Sequence, residues 1–376
     1  MSVESPLLGS QTQTTSARLV SLDVVRGIAM FWIIGAADLL DAVRNIGDSE
    51  ATKSVADFLA HKAWEGFHFE DLGLPLFIFI VGISTVLSTT KTIRQSGRNE
   101  AVRRILRRAI VLFLLGIIYN GGFSTPFRDI RLLGVLQRIA LCYLFAALLF
   151  CYVSQRTIVA VCAMLLLGYW ALMTFVPVPG VGRANFAEGK NLANHIDKQY
   201  LPLKKYDGDH DPEGLLSTMP AIASCLLGVF AGMLLKNNTV SDQTKVFYLA
   251  GAGVAGVALG SLWALQFPVI KKIWTSSFVL VAGGYSALAV ALACQVIDLW
   301  KYQRWAQPFV WIGMNSLTIF LAAKLIDFGS LAQLLVGGDI NRYCGVYGPV
   351  ILAAVTLIIE LCFLHFLYHR KIFLRL

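Results

Sequence analysis

The sequence predicts an all-α polytopic membrane protein with about ten transmembrane helices, and three observations carry that prediction. Of 376 residues, 56% are hydrophobic and only 15% charged. The mean hydropathy of +0.65 leaves too little polar surface for a water-soluble domain. Apolar runs of about 20 residues, the length that crosses a hydrocarbon layer as a helix, recur along the chain and are too continuous for the alternating strands of a membrane barrel.

Taken in order, residues 1–17 are rich in Ser, Thr and Gln and read as a disordered tail without the features of a signal peptide. No linker divides the rest, so residues 18–376 are expected to form one membrane domain. The runs fall near 19–40, 72–90, 105–121, 132–153, 157–176, 216–235, 246–265, 275–297, 308–325 and 348–368. Two connections are long, 41–71 and 177–215, and long connections are usually lids or binding loops. The seven cysteines are scattered, six of them inside apolar runs, and suit neither disulfides nor a metal cluster. No metal is expected.

The net charge of +9 does not point to nucleic acid, because the basic residues flank membrane runs. Lys91, Arg94, Arg98, Arg103, Arg104, Arg107 and Arg108 between the second and third runs face only Glu100, a strong positive-inside signal. That loop is expected in the cytoplasm, and alternation then puts both termini there. Both long loops, with most of the acids and with His61, His68, His195 and His210, fall on the outer side.

The first run carries Asp23 and Arg26, which must be paired or face a cavity, since an unpaired charge in hydrocarbon costs about 3 kcal/mol. Asp38, near its outer end, suits a pocket for a cationic ligand. His61, Trp64 and Glu65 would share one helical face, giving a histidine beside an aromatic wall and a carboxylate. Asp71 either orients His61 or caps the helix that opens at Leu72. Arg103, Arg104, Arg107 and Arg108 form two guanidinium rows suited to lipid headgroups or a nucleotide phosphate. Gln137 and Arg138 open the fourth run, where the guanidinium needs an anion, a carbonyl or a buried carboxylate. Asn315 and Ser316 are polar within the ninth run and either bind neighbouring helices or line a channel. No phosphate loop, HExxH or GxSxG motif occurs, which argues against an ATPase, a zinc protease and a serine hydrolase.

Read together, these segments resemble the heparan-alpha-glucosaminide N-acetyltransferase type of transmembrane acetyltransferases and its bacterial relatives. The resemblance rests on RLVSLDVVRGIAM from Arg18, HKAWEG from His61, DLGLPLFIFIVG from Asp71, GVLQRIA from Gly134, PVPG from Pro177, DPEGLLST from Asp211, GMNSL from Gly313 and the terminal KIFLRL. It implies an enzyme that moves acetyl from cytoplasmic acetyl-CoA to the amine of a glucosamine or terminal glucosaminide across the membrane. The family's active histidine falls on His61, with Asp71 as its orienting carboxylate. Arg104, Arg108, Gln137, Arg138, Asn315 and Ser316 are the candidates for holding CoA or lining its path. Asp38, Trp64, Glu65 and Glu213 are the candidates for the acceptor. The chain has Glu65 where the animal lysosomal enzymes carry Asn, which favours a free or oligomeric amino sugar over polymeric heparan.

The resemblance further implies a homodimer in a bilayer, for a bacterial chain the inner membrane. The chemistry has two forms: an acetyl-imidazole intermediate, or direct attack by an amine that His61 deprotonates. The competing expectations are a transporter for an amino sugar or anion, built on Asp38, Arg138 and Glu213, and an O-acetyltransferase of envelope polysaccharide.

Overall fold

A computed structural model describes residues 19–44 and 61–374. The expected tail and most of the 41–71 connection lie outside the described residues. Among the described residues the regular structure is helical, and β-pairing is confined to four isolated bridges. The elements are α1 (Val20–Arg44), α2 (Gly73–Tyr119), α3 (Val135–Tyr152), α4 (Gln155–Phe175), α5 (Leu192–Tyr200), α6 (Thr218–Lys236) and α7 (Asp242–Trp263). They continue with α8 (Ser276–Ala293), α9 (Gln307–Met314), α10 (Ser316–Leu325), α11 (Phe328–Val336), α12 (Asp339–Cys344) and α13 (Gly348–His369).

Among the described residues, eight helices are long and apolar enough to cross a membrane, or nine with the bent α9–α10 pair taken as one span. This differs from ten runs because α2 contains two of them, joined across Gly97. That residue has φ 85° and ψ 169°, outside the helical region and open to glycine without steric cost. The arms then fold back on each other: Ser88 and Thr92 of the first line one groove with Arg104 and Arg108 of the second. Residues 73 and 119 therefore share one end of the bundle, and Gly97 with its arginines marks the other.

The bend of 65° between α9 and α10 falls at Asn315. Packing of α9 on α1 is backbone to backbone. A Cβ on Gly27 would lie 1.8 Å from the Phe309 carbonyl oxygen, and one on Gly313 would lie 1.9 Å from that of Asp23, so only glycine allows this approach. Arg26 beside it meets the carboxylate of Asp23 at 3.6 Å and donates to Ser84 Oγ at 2.8 Å, the pairing that its position in the run requires. Along α4, α7 and α13 the outward residues, among them Met164, Leu167, Leu259, Leu262, Ile358 and Phe366, are large and apolar. A surface of that kind is stable in lipid and not in water.

The 177–215 segment is not structureless. It contains α5 and packs Val178 and Leu192 on Tyr169, Phe267, Ile270 and Ile273. This cluster holds the α7–α8 connection, residues 264–275, against the chain ahead of α2. The described cysteines are all free, as expected from their scatter.

Candidate active site

Residues 61–68 are extended and bent, so His61, Trp64 and Glu65 do not share a helical face. Glycine and pairing decide this: Gly66 adopts φ 117°, its N–H donates to Val269 O at 2.8 Å, and Glu65 bridges Ile270. The pairing lays the segment along the α7–α8 connection and brings Lys271 to His61.

His61 is held by three groups. Its Nδ1 lies 3.1 Å from Asp71 Oδ1 and 2.9 Å from Lys271 Nζ, and its Nε2 lies 3.2 Å from Glu70 Oε1. Asp71, whose side chain is wholly buried, also receives Lys271 Nζ on Oδ1 at 3.2 Å. Its other oxygen accepts the backbone N–H groups of His68 at 3.0 Å and Lys62 at 3.3 Å. Asp71 thus touches His61 and also closes a capping box, with His68 as the N-cap and Asp71 its third residue. Burial pushes the Lys271 ammonium below its ordinary value, against the pull of Asp71. Nδ1 and Nζ at 2.9 Å cannot both donate along their common line, so one of the two accepts from the other. The imidazole itself remains half exposed, open to a reactant.

Lys271 and Glu70 are the site residues that sequence reasoning missed. The signal was present: Lys271 and Lys272 stand between two apolar runs on the side that otherwise collects acids. A basic pair there runs against the positive-inside distribution.

Trp64 and Glu65 flank the site without touching His61's nitrogens. Trp64 donates Nε1–H to Phe186 O at 2.9 Å, pinning the 177–215 segment beside His61, and Glu65 is exposed. Glu213 is engaged elsewhere: it shares Arg131 with Asp211, whose two oxygens receive Arg131 Nε at 2.7 Å and Nη2 at 2.6 Å. Asp38 lines a separate cavity between α1, α10 and α13.

A cavity of about 160 Å³ lies inside the bundle, near the start of α2. Leu74, one turn from Asp71, lines it, as do Asn315, Ser316, Arg26, Ser84 and Arg108. Arg108, with its guanidinium 4.9 Å from the Tyr143 ring centroid, and Tyr143 itself also line the groove of Arg104 and Arg107, so the two spaces adjoin. Asn315 Oδ1 and Arg108 Nε are buried without hydrogen-bond partners. Arg104 pairs with Glu100 at 2.9 Å. Gln137 and Arg138 line neither space. Arg138 donates to Ser217 Oγ at 2.5 Å and packs over Trp274, meeting the carbonyl of Gly214 at 3.5 Å, one of the partners its depth requires.

Residues 18–267 match the family model "Heparan-alpha-glucosaminide N-acetyltransferase, catalytic". The chain belongs to this family. Its curated relatives include the mouse heparan-alpha-glucosaminide N-acetyltransferase, 25% identical over 84% of this chain and 55% of that protein. The human enzyme of the same name is 26% identical over 82% of this chain and 53% of its own length. The chain therefore spans about half the length of the curated relatives it matches. The matched segment contains His61, Glu70 and Asp71, both arms of α2 and the 177–215 segment, and ends four residues before Lys271.

One residue of that segment makes folding pH-dependent. Burial pushes the Asp197 carboxyl up to about 6, while it accepts Leu215 N–H at 2.8 Å. The folded state then holds this proton more tightly than the unfolded chain, whose ordinary value is 3.8. The contribution is complete below that value and is lost as pH rises to about 6, on the order of 3 kcal/mol. Thermal unfolding in detergent between pH 4 and 7 should show wild-type stability falling with pH relative to Asp197→Asn, whose profile lacks that slope.

Proposed function

We propose that the chain is a transmembrane acetyltransferase that takes acetyl from cytoplasmic acetyl-CoA and delivers it to the amine of glucosamine or a terminal glucosaminide on the extracytoplasmic side. The observation that carries this reading is the His61 cluster at the start of α2, where Leu74 lines a cavity that adjoins an arginine groove. In this reading Arg104 and Arg108 hold the phosphates of CoA, since planar guanidinium forks suit phosphate oxygens. The pantetheine arm lies in the cavity, where Asn315 and Ser316 offer hydrogen bonds.

His61 acts as the general base. Two carboxylates against one ring stabilise the imidazolium that a base becomes. The acceptor ammonium gives a proton to the His61–Lys271 pair, and its nitrogen attacks the thioester carbonyl. The C–S bond then breaks, and the CoA thiolate takes the second proton of the attacking nitrogen as it leaves.

The test is acetyl transfer by the purified protein in detergent, using labelled acetyl-CoA with glucosamine. N-acetylglucosamine formed in proportion to free CoA is the expected result. Retention of label on denatured protein without acceptor would replace the base by an acetyl-histidine. Binding of glucosamine with no consumption of acetyl-CoA would favour the transporter.

A further inference from the structure

A second cluster of ligating side chains lies in the 177–215 segment, built from Glu188 and the Asp207-Gly208-Asp209-His210 turn. One ligand atom each from Glu188, Asp207 and His210 lie within 4.8 Å of one another. His210 Nε2 is 3.7 Å from Glu188 Oε1 and 3.7 Å from Asp207 Oδ2. That is too long for a hydrogen bond, and no other partner reaches this nitrogen although the side chain is only 6% exposed. The opposite nitrogen, Nδ1, lies 2.8 Å from Asp209 Oδ1. With its proton donated there, the ring turns the Nε2 lone pair toward two carboxylates.

Three acceptors facing one another repel unless a cation stands between them. Four bonds of about 2.0–2.1 Å in tetrahedral geometry place ligand atoms roughly 3.4 Å apart, a little inside the two 3.7 Å separations from His210 Nε2. A carboxylate on the far nitrogen is the usual outer support of a metal-bound histidine. Lys272 supplies part of the missing charge, with Nζ 2.8 Å from Glu188 Oε1 and 3.1 Å from Asp207 Oδ2. It is one positive charge against two carboxylates, and the Trp64 ring, 6.0 Å from Nζ, offers it another resting place.

We propose that Glu188, Asp207 and His210 bind a divalent transition metal, zinc by preference, in competition with the Lys272 ammonium. An imidazole with two carboxylates suits zinc and leaves its fourth position to water, whereas calcium and magnesium take oxygen ligands. The ion cross-links residue 188 to the 207–210 turn and moves Lys272 toward Trp64, beside Lys271 of the His61 cluster. The cysteine and motif pattern gave no sign of this site, because its ligands are brought together from two separate stretches of the loop.

The experiment is zinc chloride titration of the untagged, chelator-stripped full chain in detergent, read by calorimetry and by metal content after dialysis. One zinc per chain is expected. Affinity should fall at least tenfold in His210→Ala and about tenfold in Asp209→Asn, and rise severalfold in Lys272→Met, a gain that misfolding does not produce. The absence of stoichiometric zinc, or equal affinity in wild type and His210→Ala, would overturn the proposal and leave Lys272 as the cation of this cluster. Unchanged affinity in Lys272→Met would overturn the competition.

Discussion

His61→Ala should lower acetyl transfer from acetyl-CoA to glucosamine about a thousandfold, the scale of a lost general base. Glu70, Asp71 and Lys271 would remain, but none of them replaces an imidazole open to the reactant. The residual rate distinguishes the two chemistries. If His61 only removes the amine's proton, the mutant should recover with rising pH as free amine accumulates, with acetyl-CoA binding unchanged. If His61 carries the acetyl group, the residual rate should stay flat across the same range. Asp71→Asn should also lose most activity, because the amide cannot stabilise the imidazolium and presents a donor where two backbone N–H groups need acceptors. Its loss should be accompanied by reduced stability, while that of His61→Ala should not. Equal thermal unfolding of His61→Ala and wild type, measured beside the transfer assay, checks that the effect is chemical.

Arg131→Ala should be the most destabilising change in the loop region. Arg131 meets Asp211 and Glu213, which are 2% and 8% exposed, and its guanidinium also stacks 4.9 Å from the Tyr206 ring centroid. Removing it leaves two buried carboxylates without their cation, and breaking a buried ion pair in this way costs about 3–5 kcal/mol. Unfolding followed by heat or denaturant should show a lower midpoint. Adding Asp211→Asn to Arg131→Ala should restore part of it, because one of the stranded charges is gone. Arg131→Lys should recover little, since a single ammonium cannot reproduce the two-point contact on Asp211. A wild-type midpoint in Arg131→Ala would show that these carboxylates are satisfied by other means.

Hydrophobic runs and charge asymmetry are properties of neighbouring residues, and they determined the all-helical membrane class, the runs themselves and the pairing needs of Asp23 and Arg26. Motif order named His61 and Asp71 as candidates, and the charge distribution named the arginines beyond Gly97. The spacing of His61, Trp64 and Glu65 misled, because a period of helical appearance says nothing about a segment whose backbone is paired to another. Glu213 was expected to meet the acceptor, and no local pattern could show it as the partner of Arg131, which lies 82 residues away. Lys271 is separated from His61 by 210 residues, so no local pattern could join them. Only the tertiary structure decided that joining. The pairing of Gly66 with Val269 and of Glu65 with Ile270 sets two distant stretches side by side, and burial then places a lysine, a histidine and two carboxylates within hydrogen-bond reach. The bend at Asn315 likewise turned two polar residues of an apolar run into cavity walls. Sequence determines which groups must be hidden from lipid or paired, since that cost is local; which groups meet depends on how the whole chain closes.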